Sequence, residues 1–251
     1  MTIGDYAPVR GLEMYYEVHG TGRPVVLLHG GVLTIGLSFG DLLPELARDR
    51  QVIAVELQGH GRTADIDREM TLPELAADVV ALLEHLGLER ADLFGFGLGG
   101  LVALELATAA LERVDRLILA STHYRTDGYH EEILDPAQFA TSTRMPTEAD
   151  VREMRETYER LAPEPGHFEQ MTAKLSRTVP DIPGWSAEQL RAIPAETLLL
   201  FGDNDFVRLE HAVEMAGLIP HSRLGVLPGT THNELTRRTE LVLPMVRSFL
   251  G

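Results

Sequence analysis

Two short apolar runs, "PVVLLHG" at 24–30 and "QVIAVEL" at 51–57, carry hydrophobic residues without alternation. Runs this short, rich in β-branched side chains, predict strands buried on both faces, the habit of a parallel sheet. Between them, "SFGDLLPELARD" spaces its apolar residues as a helix does. "TLPELAADVVALLEHLG" opens with Thr71 and Glu74 at capping-box spacing and stops at Gly87, predicting another helix. The strand "ADLFGF", a helix from about Leu98 to Arg113 and the strand "RLILAS" follow. This alternation predicts an α/β fold, a mostly parallel sheet with helices on both faces.

The rhythm breaks after Ser121. From about 124 to 193 the chain is polar, mostly helical and free of strand-like runs. "TEADVREMRETYERL" predicts one helix there, and "SAEQLRAI" another, with Ser186 and Gln189 at capping-box spacing. "VPDIPGW" at 179–185 reads as a proline-rich loop. "ETLLLFGD" resumes the sheet, followed by a helix near 209–218, the strand "SRLGVLPG" and a closing helix at 239–250. The predicted organisation is a core of residues 1–123 and 194–251, with 124–193 as a helical cap. An insertion where strand ends gather makes a natural lid.

One stretch, "LFGFGLGG" at 93–100, admits two readings. Gly95, Gly97 and Gly100 fit the glycine fingerprint of a dinucleotide-binding turn. The same letters fit a nucleophile elbow, G-x-S-x-G, with Gly97 where serine stands. The dinucleotide reading needs an acid near the end of the next strand, and "LILAST" supplies none. The elbow reading makes demands elsewhere, and the chain meets them. Small neighbours let strand and helix approach, and Gly95, Gly99 and Gly100 are small. An oxyanion hole needs two backbone N–H groups, for which "LLHGGVLT" offers Gly31 to pair with Leu98. "LLLFGDNDFV" ends the next-to-last strand with Asp203 and Asp205, and "VLPGTTHNEL" places His232 after the last.

These residues together resemble the α/β-hydrolase superfamily, in its short, cap-bearing branch of esterases, lactonases, C–C bond hydrolases and epoxide hydrolases. The resemblance rests on His29-Gly30-Gly31, Gly59-His60-Gly61-Arg62, the elbow 95–99, Asp205 and His232, in family order over nearly the whole chain. It implies that His232 is the general base, that Asp205 orients it, and that Gly31 and Leu98 supply oxyanion donors. Asp203 is then a turn-stabilising neighbour, and residues 59–62 are structural. His123, where the cap begins, and Phe139, Met145 and Trp185 within it are candidates to line a substrate pocket, with Phe168 and Met171 beside them. The departure is Gly97, which carries no nucleophilic atom.

Composition narrows the partners. With 22 Lys and Arg against 38 Asp and Glu, the net charge is −16, which disfavours nucleic acid and anionic membrane surfaces. Zero cysteines exclude disulfides and thiol chemistry. The ten histidines form no H-x-x-x-H pair and no P-loop occurs, so the expected site has no metal and no cofactor. No signal-peptide pattern or membrane-length apolar run is apparent, and a cytoplasmic location is the expectation. Three functions remain open. One is hydrolysis of a small carboxylic ester or lactone, with the nucleophilic serine replaced by Gly97. Another is a non-covalent reaction in which His232, backed by Asp205, is general base for water activation, elimination or cyclisation. The last is binding of a small molecule without catalysis.

Overall fold

A computed structural model of the chain describes residues 3–139, 141–178 and 184–251. Eight strands make one sheet: β1 (Ile3–Val9), β2 (Leu12–His19), β3 (Pro24–Leu28), β4 (Gln51–Val55), β5 (Ala91–Phe96), β6 (Val114–Ala120), β7 (Glu196–Asn204) and β8 (Ser222–Thr231). Their order is β1-β2-β4-β3-β5-β6-β7-β8. β1–β2 and β2–β4 are antiparallel, and every other pairing is parallel. The N-terminal hairpin is an addition to the sequence reading. Its signal is the alternation of "LEMYYEVH", whose Leu12, Met14 and Tyr16 are buried. The glycine turn accordingly comes after the fifth strand of the sheet.

Helices α1 (Ile35–Phe39) and α2 (Leu43–Leu46) lie between β3 and β4, α3 (Leu72–His85) before β5, and α4 (Leu98–Ala109) after it. Between β6 and β7 come α5 (Glu131–Leu134), α6 (Glu148–Leu161), α7 (Phe168–Thr178) and α8 (Ala187–Arg191). Helices α9 (Leu209–Leu218) and α10 (Thr239–Leu250) flank β8. Thr71 caps α3 by accepting from the Glu74 N–H, while α6 and α8 each begin with a full capping box, Thr147–Asp150 and Ser186–Gln189. Helix α4 stops short of the predicted Arg113, at Ala109, and a 3₁₀ turn covers Leu111–Arg113. The predicted loop at 179–185 lies outside the described residues except for Gly184 and Trp185.

Strand side chains alternate between two apolar layers. Val26 and Leu28 of β3 join the layer holding α3 and α4, while Val25 and Leu27 join the layer holding α1, α2 and α10. α4 is apolar nearly all round because the sheet covers one side and α3 another. Its close approach needs glycine: a Cβ on Gly99 would sit 2.1 Å from the Leu28 carbonyl oxygen, and one on Gly95 2.3 Å from that of Gly99. The segment between β6 and β7 packs onto both layers. Tyr158, Phe168, Met171, Leu175 and Trp185 join one, and Met154 the other. Among the described residues no helix is long and apolar enough to cross a membrane.

Candidate active site

β5 runs into α4 through one residue, Gly97, at φ +52° and ψ −114°. Its N–H donates to the Ala120 carbonyl and its carbonyl accepts from Leu101, so the conformation is held from both sides. A side chain here is strained, yet it would point at a definite target. A Cβ built on Gly97 falls 3.3 Å from His232 Nε2, 3.7 Å from His232 Cε1 and 3.7 Å from the Gly30 Cα.

His232, just beyond β8, is sandwiched between two rings. Phe206 stacks on it at 4.0 Å with 6° between planes, and Phe96 lies 5.1 Å away on a tilt. Its Nδ1 is 2.9 Å from Asp205 Oδ1. A carboxylate oxygen accepts only, so Nδ1 carries the proton, and in the neutral ring the Nε2 lone pair faces Gly97.

Asp205 is 1% exposed and fully occupied. Oδ1 accepts from His232 and from the Val207 N–H at 3.3 Å; Oδ2 accepts from the Ser121 hydroxyl and from the Gly202 N–H at 3.3 Å. Burial pushes its pKa upward, but His232, Ser121 and Val207 together hold it below the ordinary aspartate value. Ser121 itself sits at φ +52°, a left-handed residue that turns its hydroxyl toward the acid. Asp203 does separate work: it accepts from the Gly229 and Thr230 N–H groups and ties the end of β7 to the end of β8.

The loop after β3 is braced by two buried imidazoles 4.9 Å apart. His29 Nε2 accepts from the Leu57 N–H and Nδ1 donates to the Gly30 carbonyl; burial, with His60 beside it, lowers its pKa to about 3. His60 Nε2 accepts from the Val32 N–H while Nδ1 donates to Gln58. That contact fixes Val32 at φ +63°. Gly31 lies beside the start of α4: a Cβ on it would be 3.7 Å from the Leu98 Cβ. Leu98 is in the first turn of α4, where backbone N–H groups have no intrahelical acceptor and the helix end is electropositive. Leu175 of α7 reaches over the loop, its Cδ2 3.0 Å from that Gly31 Cβ position.

The four pocket candidates separate. His123 is fully buried, tilted against Tyr129 with ring centroids 4.3 Å apart and 50° between planes, and its pKa is lowered to about 3 by burial and by the charges of His211 and His232. Trp185 is buried elsewhere: its indole N–H donates to Glu105 Oε2 at 3.0 Å, about two turns along α4 from the elbow. A buried indole needs an acceptor, and Glu105 rather than the pocket supplies it. Phe139 is 38% exposed, on the outer surface of the insertion. Met145 is half-buried, and it is the preceding Arg144 that reaches the acid, donating to the Asp205 carbonyl at 2.8 Å and pairing with Glu132. Sequence reasoning missed Ser121, Phe206, Arg144, Tyr129 and Leu175. Phe206 was the findable one, adjacent to the acid in "DNDFV".

An eight-stranded sheet with a strained turn after β5, an acid after β7 and an imidazole after β8 defines a hydrolase-type α/β scaffold. The chain belongs to the alpha/beta hydrolase family, whose model matches residues 25–242. It is 28% identical to a non-heme haloperoxidase of Rhodococcus erythropolis, over 96% of both chains. It is also 28% identical to a 2-hydroxy-6-oxo-2,4-heptadienoate hydrolase of Pseudomonas putida, covering 99% of this chain and 96% of that one. Among solved structures, a meta-cleavage product hydrolase of Pseudomonas fluorescens superposes with a TM-score of 0.83 at 23% identity, over 99% and 97% of the two chains.

Proposed function

We propose that the chain carries the site of a small-ester or lactone hydrolase, with base, orienting acid and oxyanion donors retained and Gly97 at the nucleophile position. The observation that carries this reading is the Cβ position on Gly97, 3.3 Å from His232 Nε2. A serine hydroxyl there would fall within hydrogen-bond reach of the base, the arrangement that activates a nucleophile. Residues 124–193 act as the lid, with α7 lying over the oxyanion loop.

Without the hydroxyl no acyl-enzyme forms. Losing the nucleophile of such a triad costs on the order of 10⁶ in turnover, while the hole and binding can retain about 10³–10⁴ over water. The Gly97→Ser chain should therefore hydrolyse p-nitrophenyl acetate or a small lactone several orders of magnitude faster than the glycine chain. A Gly97→Ser protein that folds and stays inert would overturn the reading.

A second reading is favoured by the hydrogen-bonded Asp205–His232 pair, which simple binding does not need. In it His232 acts as general base on a water, or on a substrate proton, worth about 10²–10⁴ in rate. Turnover by the glycine chain that His232→Ala abolishes supports it; equal rates with and without the imidazole exclude it.

A further inference from the structure

Phe206 follows the acid directly and turns its face to the base. Its ring centroid is 4.0 Å from that of His232, with 6° between the planes. The backbone that presents it is fixed on both sides. Asp205 before it accepts four hydrogen bonds, and the Phe206 carbonyl accepts from the His130 N–H at 3.0 Å. The His232 side chain is only 12% exposed. An aromatic face carries negative charge and attracts a cation within about 6 Å, more strongly where water is excluded. A neutral imidazole has no net charge for that face to attract.

We propose that Phe206 is a positioning residue that acts through His232: its face holds the imidazole plane and stabilises the imidazolium formed when Nε2 takes a proton. The neutral ring that waits opposite Gly97 gains little and the protonated ring gains the attraction. The contact therefore counts for more in the transition state than before it. Asp205 stabilises the same cation at its edge, 2.9 Å from Nδ1, and leaves the ring faces to their aromatic neighbours. Of these, Phe96 is 5.1 Å away and tilted by 36°, so Phe206 offers the closer and better aligned face.

This inference rests on His232 being the base, and the test separates the two. In the Gly97→Ser chain, Phe206 is replaced site-specifically by mono-, di- and trifluorophenylalanine, which keep the ring's shape and drain its face. Turnover of p-nitrophenyl acetate should fall stepwise with each fluorine, about three- to tenfold in all, with KM little changed. The unaltered glycine chain carrying the same analogues gives a readout that needs no turnover. There the pH midpoint of the His232 ¹⁵N ring signals should drop in step, by about half to one pH unit in all. The titratable and charged groups facing the imidazole are Asp205 on Nδ1, His123 with Tyr129 against it, and Arg144 on the Asp205 carbonyl; fluorination changes none of them. A midpoint that ignores the fluorines, or a turnover that ignores them while His232→Ala abolishes it, overturns the inference alone. A Gly97→Ser chain that is inert, or equally fast without the imidazole, overturns the reading beneath and the inference with it.

Discussion

Replacing Asp205 with asparagine keeps the shape and removes the charge, and the structure dictates the consequences. The carboxylate accepts four hydrogen bonds, two of them from backbone N–H groups that cannot change role. Turned one way, the new amide NH₂ faces His232 and the Val207 N–H; the imidazole can shift its proton to Nε2, but Val207 is orphaned. Turned the other way, it faces the Ser121 hydroxyl and the Gly202 N–H; the hydroxyl can rotate, but Gly202 is orphaned. Either orientation leaves one buried donor unpaired, about 1–3 kcal/mol at pH 7. For a chain of this size that is a fall of about 2–4 °C in Tm per kcal/mol. Because the folded Asp205 titrates below its ordinary value of 3.8, its charge contributes stability above that pH and loses it as pH falls through the folded value. The gap between the two proteins in urea unfolding should therefore narrow on acidification below 3.8. In the Gly97→Ser background the same change should reduce turnover by about 10⁴, the scale set by a mis-oriented imidazole. Equal stability at pH 7 together with undiminished turnover would refute the assignment.

Two further outcomes arise from packing and titration. Gly99→Ala drives a Cβ to 2.1 Å from the Leu28 carbonyl and should cost about 3 kcal/mol or prevent folding. Gly87→Ala, at φ +68° with nothing within 4 Å, should cost only about 1 kcal/mol; similar urea midpoints for the two would contradict the close approach of α4 to β3. Burial holds His29 and His123 at about 3 and His211 at about 4, so these folded-state values lie below the ordinary 6.5. The unfolded chain then takes up protons that the folded one refuses, and stability falls as pH drops below 6.5. Between about pH 7.5 and 5.5 unfolding free energy should fall by on the order of 1 kcal/mol per histidine; a flat profile would show that these rings protonate in place.

What the sequence revealed was periodic or punctuated. Continuous apolar runs marked the buried parallel strands, and capping residues marked helix starts such as Ser186. Chain order singled out Asp205 and His232, which lie 2.9 Å apart although 27 residues separate them. The antiparallel β1–β2 hairpin was overlooked because its alternation is short and half polar. The segment between β6 and β7 was the least legible part. Trp185 and Phe139 are both large and apolar, and nothing local says that one finds Glu105 while the other stays at the surface. Ser121 was unreadable for another reason: its role depends on a left-handed backbone, beside an N–H that donates to the Leu200 carbonyl of β7, and neither has a local signature. Arg144 acts on the acid from 61 residues away through a backbone carbonyl, a contact with no sequence signature.

Intact-mass measurement after treatment with a fluorophosphonate tests most directly whether a working base faces the elbow. The Gly97→Ser chain should gain a single adduct per molecule, the unaltered chain none, and Gly97→Ser combined with His232→Ala should label slower by several orders of magnitude. A folded Gly97→Ser chain that takes up no adduct, or labels equally fast without the imidazole, would show that His232 does not serve position 97 as a base.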